Sequence, residues 1–415
     1  MTWTAVGMAE ELRAGWLSTA EVVRQVLDRL DRLAPVIGAV AATDRVRALD
    51  DAAAADRRFR AGHARQLEGV PFTVKEWIDV EGWPISGASG EDSGVPGRRP
   101  DADATAVARL RAAGAIVVAI STAMANSNIH GITRNPRDIT RAPGGSSSGA
   151  AALVAAGAAP LALASDSGGS IRLPAAWCGV AALKPTFGRV PLTGHFPRCG
   201  SLEDGRTVIG PMAHTVADLA AVLPIIAGPD GLDAGISPVP LGDMTTVDIR
   251  SIRVGVTGGG PTAEAVDALT AAGAICSVTP ELDVREEALD LTRRYWRREH
   301  LTGSENVRLL YDWDQFRQRI LIATTDIDVV ITPATTEPAP PWRESTTADY
   351  LWTLPWSLTG APVVVVPVDT EAELPVAVQV IGRPWQDHIA LAAAGIVETA
   401  CSECPIADPL DHGNA

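Results

Sequence analysis

"GGSSSGAAALVAAGAAPLALASDSGGSIRLPA", residues 144–175, is the stretch whose reading decides the rest. It runs from a Gly/Ser loop into an alanine-rich helical segment, then into the short apolar strand "PLALAS", then into a second Gly/Ser turn that opens another helix. Outward from it the same alternation recurs. "DATAVARLRAAGA" (103–115) stops at a glycine before the β run "AIVVAI", and "AEAVDALTAAGA" precedes "ICSV". "IRVGVT", "DVVIT", "PVVVVPV" and "PVAVQVIG" read as further strands, two of them starting at a proline. Ser18 and Glu21 form a capping-box pattern ahead of Val22, Val23, Val26, Leu27, Leu30 and Leu33 at helical spacing. Helices alternating with short buried strands imply an α/β fold: a single large domain, 1–415, with a twisted mixed β-sheet covered by helices on both faces. A helical region over about 1–65 is expected to pack on that core, and the tail over about 403–415 to sit loosely.

Composition narrows the function. A formal charge of -15 works against a phosphate-backbone partner, so no nucleic-acid role is expected, and "RRYWRRE" (293–299) reads as one solvated helix face. The longest apolar run, 149–164, is broken by Pro160 and reads as core rather than as a membrane span. Without a basic, apolar leader at Met1–Glu10, and with five cysteines in no framework spacing, a cytoplasmic protein is expected. Cys401 and Cys404 form an isolated CxxC that reads as incidental, and no metal or cofactor is expected.

Each half of the opening stretch has a bland reading, "GGSSSG" as a flexible turn or phosphate nest and "DSGGSIR" as a turn capped by Ser170. The second half also suits acyl transfer. Glycines directly before Ser170 let the backbone N–H groups of Ser167, Gly168, Gly169 and Ser170 converge on one point as an oxyanion hole, where losing one donor costs about 3 kcal/mol. Ser170 is then the candidate nucleophile, and it needs a base. None of the seven histidines sits in a motif that pairs it with an acid and a serine-bearing GxSxG elbow. Lysine offers the alternative. Only Lys75 and Lys184 occur among 35 basic residues, and Lys75 ends the apolar run "GVPFTVK", where desolvation would release its proton. Lys184, before a proline turn, reads as structural. Glu76 beside Lys75 would oppose deprotonation unless strand alternation turns it away.

Residues 144–175 resemble the signature of the amidase signature family of Ser-Ser-Lys hydrolases, and the likeness extends over nearly the whole chain. "LEGVPFTVKEWIDV" looks like the family's lysine strand, "CGVAALKPTFGRVPLTGHFP" and "GPMAHTVADLAAVLPIIAGPD" like its following segments, and "LPVAVQVIGRPWQD" like its C-terminal strand. The resemblance implies the family fold and a triad: Ser170 as nucleophile, Ser146 as the bridging serine after a cis peptide bond from Gly145, and Lys75 as base. It gives Asp166 and Arg172 a supporting role in holding the turn. Met124, Asn126 and His195 are the candidate substrate contacts. "AISTAMANSNIHGITRNP" (119–136) lacks the Lys and Asn the family usually shows there, so the resemblance leaves the substrate open.

The expected activity is that of an amidase, a hydrolase cleaving the C–N bond of a small carboxamide through a serine acyl-enzyme. A glutaminase-type subunit of an amidotransferase complex, an acyltransferase or an esterase would use the same acyl-enzyme. The expected partner is a small-molecule amide, with no membrane, and a homodimer is an assembly the sequence allows.

Overall fold

The computed structural model describes residues 4–86, 97–196, 205–371, 374–401 and 404–410. Its strands in chain order are Val40–Ala42 (β1), Pro71–Lys75 (β2), Ile116–Ser121 (β3), Asn126–Ser127 (β4), Gly131–Ile132 (β5), Leu161–Asp166 (β6) and Ala181–Lys184 (β7). Val208–Ala213 (β8), Arg253–Val256 (β9), Ile275–Val278 (β10), Val329–Pro333 (β11), Val363–Glu371 (β12) and Leu374–Gly382 (β13) complete the set. Strands β4 and β5 form a small ribbon, and the other strands make one 11-stranded sheet in the order β1-β3-β2-β6-β8-β7-β12-β13-β11-β9-β10. The sheet is mixed. Strand β2 runs parallel to β3 and to β6, β9 runs parallel to β10 and to β11, and the remaining pairs are antiparallel. Because β7, from the middle of the chain, pairs with β12 near its end, the halves share one sheet in a single domain.

Side-chain alternation along the strands feeds two apolar layers. Phe72 and Val74 of β2, with Leu161 and Leu163 of β6, point to the layer beneath helices Thr105–Ala112, Val216–Ile226, Thr262–Ala271 and Asp387–Ala400. Ala162 and Ala164 point the other way, against the alanine-rich helices Ser148–Ala155 and Arg172–Cys178. Small side chains there let both helices, which carry the two Gly/Ser loops at their N-termini, lie close on the sheet. Helix Thr19–Ile37 has the expected capping box at Ser18 and Glu21, and it buries the expected stripe from Val22 to Leu33. The N-terminal region is helical except for β1, a three-residue strand that joins the sheet antiparallel to β3.

Positions 403 and 411–415 of the tail lie outside the described residues. The part between them is held: Ala407 N–H donates to Ala155 O at 2.9 Å, and Arg137 Nη1 donates to Pro405 O at 3.0 Å. No helix among the described residues is long and apolar enough to cross a membrane.

The parallel trio β3-β2-β6 has its carboxyl ends together, at Ser121, Lys75 and Asp166. In α/β sheets the crevice outside such ends is where ligands bind.

Candidate active site

Lys75 is the last residue of β2. The alternation that sends Val74 into the apolar layer sends Lys75 to the opposite face, where it is fully buried. Its Nζ lies 2.8 Å from Ser146 Oγ and donates to Ser165 Oγ at 3.2 Å and to Ser165 O at 3.4 Å. The Trp77 ring stands 4.1 Å from Nζ and covers it. Burial pushes the ammonium pKa down to about 7, against the opposing pull of the Asp166 and, less strongly, the Glu76 charge.

Glu76 has its own partners. Its carboxylate accepts from Ala123 N–H at 2.7 Å and from Ser86 Oγ, and lies 3.1 Å from His130 Nε2. It thus ties the segment after β3 to the end of β2 and makes no contact with the Lys75 amine among the described residues. His130 is accordingly a local partner of Glu76.

Ser146 sits in the first Gly/Ser loop, and the Gly145–Ser146 peptide is cis. Tyr350 Oη donates to Gly145 O at 2.8 Å, while Ser146 O accepts from Met124 N–H at 2.8 Å. The loop is therefore gripped from both sides. Ser147 and Ser148 start the helix: Ser147 is its N-cap residue, and Ser148 Oγ donates to Gly144 O at 2.5 Å.

The second loop is shaped by Asp166. Its carboxylate accepts from Gly169 N–H at 2.8 Å, from Ile171 N–H at 3.0 Å and from Arg172 Nε and Nη2 at 3.0 Å each. Arg172 is wholly buried and satisfied, with Nη1 donating to Thr353 O at 2.7 Å and to Gln379 Oε1 at 3.1 Å, and Nη2 donating to Ser357 Oγ at 2.5 Å. Its charge holds the Asp166 carboxyl below the usual carboxylate range despite burial. Gly169 has φ +134° and leaves no room for a side chain, since an added Cβ would meet Thr353 Oγ1 at 2.2 Å.

The four N–H groups of the turn, Ser167 to Ser170, are not alike in their partners. The Gly169 N–H is directed at Asp166 rather than at the converging point, because the turn needs that bond to close. The N–H groups of Ser167, Gly168 and Ser170 have no acceptor among the described residues, and Gly168 O is fixed by Thr353 Oγ1 at 2.6 Å.

The two loops open on a cleft of about 360 Å³. Among the described residues, Ser146, Ser167, Gly168 and Ser170 line one side, and Trp77, Met124, His195, Trp296, Tyr350 and the 345–347 segment line the others. Met124 and His195, two of the candidate substrate contacts, line this cleft. Asn126 does not; it belongs to β4, and its Nδ2 donates to Glu344 at 2.8 Å. "RRYWRRE" is more than a solvated face, for Tyr295 is buried and Trp296 reaches the cleft. Trp296, Tyr350 and Thr353 carried no signal for the site in the sequence, since each lies far from the two loops in the chain and becomes local only through the fold, whereas Trp77 sits two residues after Lys75 but was not singled out. Lys184, also buried, has its pKa pushed down to about 7, but its Nζ donates to Pro185 O at 3.0 Å and does not reach the cleft. Among the described residues no group of three or more His, Cys, Asp or Glu is placed to hold a metal ion.

A buried lysine amine, two serine hydroxyls and N–H groups without an acceptor among the described residues are the kinds of group that acyl-transfer chemistry uses. The family model described as Amidase matches residues 21–275 and 291–391. A glutamyl-tRNA(Gln) amidotransferase subunit of Chloroflexus aurantiacus is 34% identical over 93% of this chain and 94% of its own length. AtzE, the 1-carboxybiuret hydrolase subunit of a Pseudomonas species, is 32% identical over 95% of this chain and 97% of its own. Among solved structures, native peptide amidase from Stenotrophomonas maltophilia superimposes with a TM-score of 0.81 at 25% identity, covering 97% of this chain and 98% of that one.

Proposed function

This chain belongs to the amidase family, and from that premise we propose that it hydrolyses a small carboxamide through an acyl-enzyme on Ser170. The observation that carries the reading is the 2.8 Å approach of the buried Lys75 amine to Ser146 Oγ at the floor of the cleft that holds Ser170. Neutral Lys75 takes the Ser146 proton while Ser146 takes that of Ser170, whose Oγ adds to the amide carbonyl. The N–H groups of Ser167, Gly168 and Ser170 stabilise the oxyanion. Collapse of the tetrahedral intermediate breaks the C–N bond, and the proton returns through Ser146 to the leaving amine. Water, activated by the same relay, then adds to the acyl-enzyme and releases the acid and Ser170.

Ser170→Ala is expected to abolish both turnover and labelling by a fluorophosphonate probe. Unchanged labelling in that variant would remove Ser170 from the mechanism. Both full-length relatives are named as subunits, which favours a second reading in which the same acyl-enzyme works beside a partner protein. The purified chain alone would then release little ammonia from glutamine or simple amides.

A further inference from the structure

We propose that the cleft selects a neutral aromatic amide, whose ring lies between Met124 and Trp296; this rests on the acyl-enzyme reading above. Three observations point to it. The cleft has two large apolar side chains left open to solvent, Met124 at 40% and Trp296 at 43% exposure, while Trp77 and Tyr350 complete its walls. A thioether and an indole are side chains that bind flat rings well.

The second observation is that the Met124 backbone is held and that Trp296 stands against the second Gly/Ser turn. Met124 has φ +67°, a left-handed conformation that a side-chain-bearing residue seldom adopts and that clusters at functional sites. Its backbone is held on the N-terminal side, by Ala123 N–H donating to Glu76 Oε1 at 2.7 Å and by its own N–H donating to Ser146 O at 2.8 Å. Trp296 ends helix Arg285–Trp296 beside the oxyanion turn, where a Cβ at Gly168 would sit 3.4 Å from its Cζ2.

The third concerns charge. No Asp, Glu, Lys or Arg among the described residues lines the cleft. Arg206 lies behind Trp296, 1% exposed and stacked 3.7 Å from the Tyr295 ring. A zwitterion such as glutamine would shed water from two charges and meet no counter-charge among the described residues, whereas a neutral ring would cover Met124 and Trp296.

The test compares kcat/KM for benzamide, acetanilide, acetamide, succinamate and glutamine, in the wild type and in Trp296→Ala. Benzamide places the ring on the acyl side and acetanilide on the leaving side, so the better of the two locates it. We expect the better aromatic amide to exceed acetamide by about tenfold and glutamine by about a hundredfold. In Trp296→Ala the ratio of aromatic amide to acetamide should fall about tenfold. Faster turnover of glutamine or succinamate than of either aromatic amide would overturn the proposal. So would an equal loss on every substrate in the variant. Fluorophosphonate labelling of Ser170 separates the two levels: a labelled enzyme without aromatic preference overturns the specificity alone, and an unlabelled, inactive one overturns the acyl-enzyme reading beneath it.

Discussion

Replacing Lys75 by methionine should abolish activity and, at neutral pH, relieve the fold of a cost. The amine is fully buried, and its pKa falls from 10.5 to about 7 on folding, chiefly through desolvation. Between these values the unfolded chain binds more protons than the native one, so stability rises with pH across that window. Below pH 7 the cost is fully present, and above 10.5 it is gone. Linkage puts it at about 4 kcal/mol at pH 7 and about 2 kcal/mol at pH 9. Methionine has nearly the same length and no charge to desolvate. It forfeits the contacts with Ser146 Oγ and Ser165 Oγ, a loss of about 1–3 kcal/mol that does not vary with pH. The variant's advantage over the wild type should therefore shrink by about 2 kcal/mol between pH 7 and pH 9. Lys184 titrates in the same window in both proteins and cancels from the difference. Equilibrium urea unfolding of both proteins at the two pH values measures it. An advantage that stays constant would mean that Lys75 keeps an ordinary pKa, and the neutral base would be lost with it.

Three further outcomes follow from the same geometry. The kcat/KM of the wild type should rise with pH on a limb centred at about 7, standing about tenfold below its plateau at pH 6, and Lys75→Arg should be inert because a guanidinium does not deprotonate; a flat profile between pH 5 and 9 would contradict this. Asp166→Asn strands the buried Arg172 charge and weakens the acceptor that closes the turn, so urea unfolding should show a loss of about 3–5 kcal/mol. Tyr350→Phe removes the donor to Gly145 O, and a rise of about 1 kcal/mol in activation free energy should appear as a roughly fivefold loss in kcat, with KM less affected.

What the sequence made legible has a physical pattern. Helix Thr19–Ile37 could be read because its cap, its apolar stripe and its glycine stop agree, and they sit within one run of chain. The two Gly/Ser loops could be read as turns opening helices, because paired glycines bend the chain just ahead of each apolar run, while the roles of their serines came from the family resemblance and not from the loops alone. Strand β8 could not. It contains Gly210 and Pro211, which argue against a central strand, yet it lies between β6 and β7. The sheet accepts it because Leu183 O comes so near Gly210 that an added Cβ would meet it at 2.1 Å. Tyr350 and Thr353 were equally hidden, for they reach Gly145 and Gly168 from about 200 residues away in the chain. The engagement of the Gly169 N–H could not be read either, since composition says that a turn is tight but not which of its N–H groups closes it.

The two lysines explain the arginine-rich composition better together than apart. Both are wholly buried, and burial pushes both to about 7, so a lowered pKa does not by itself mark the base. What separates them is reach: Lys75 touches Ser146 on the cleft floor, while Lys184 spends its amine on Pro185 O. What unites them is the absence, among the described residues, of a carboxylate in ion-pair contact. The buried arginines Arg172 and Arg189 each have one, Asp166 at 3.0 Å and Asp387 at 3.1 Å. A guanidinium keeps its proton and needs that partner, whereas an amine can enter an apolar site by becoming neutral. At Lys184 neutrality avoids a second fixed cation beside Arg172, whose charge helps to lower its pKa. At Lys75 the same neutrality would leave a lone pair 2.8 Å from a serine hydroxyl, which is what the proposed relay requires of its base.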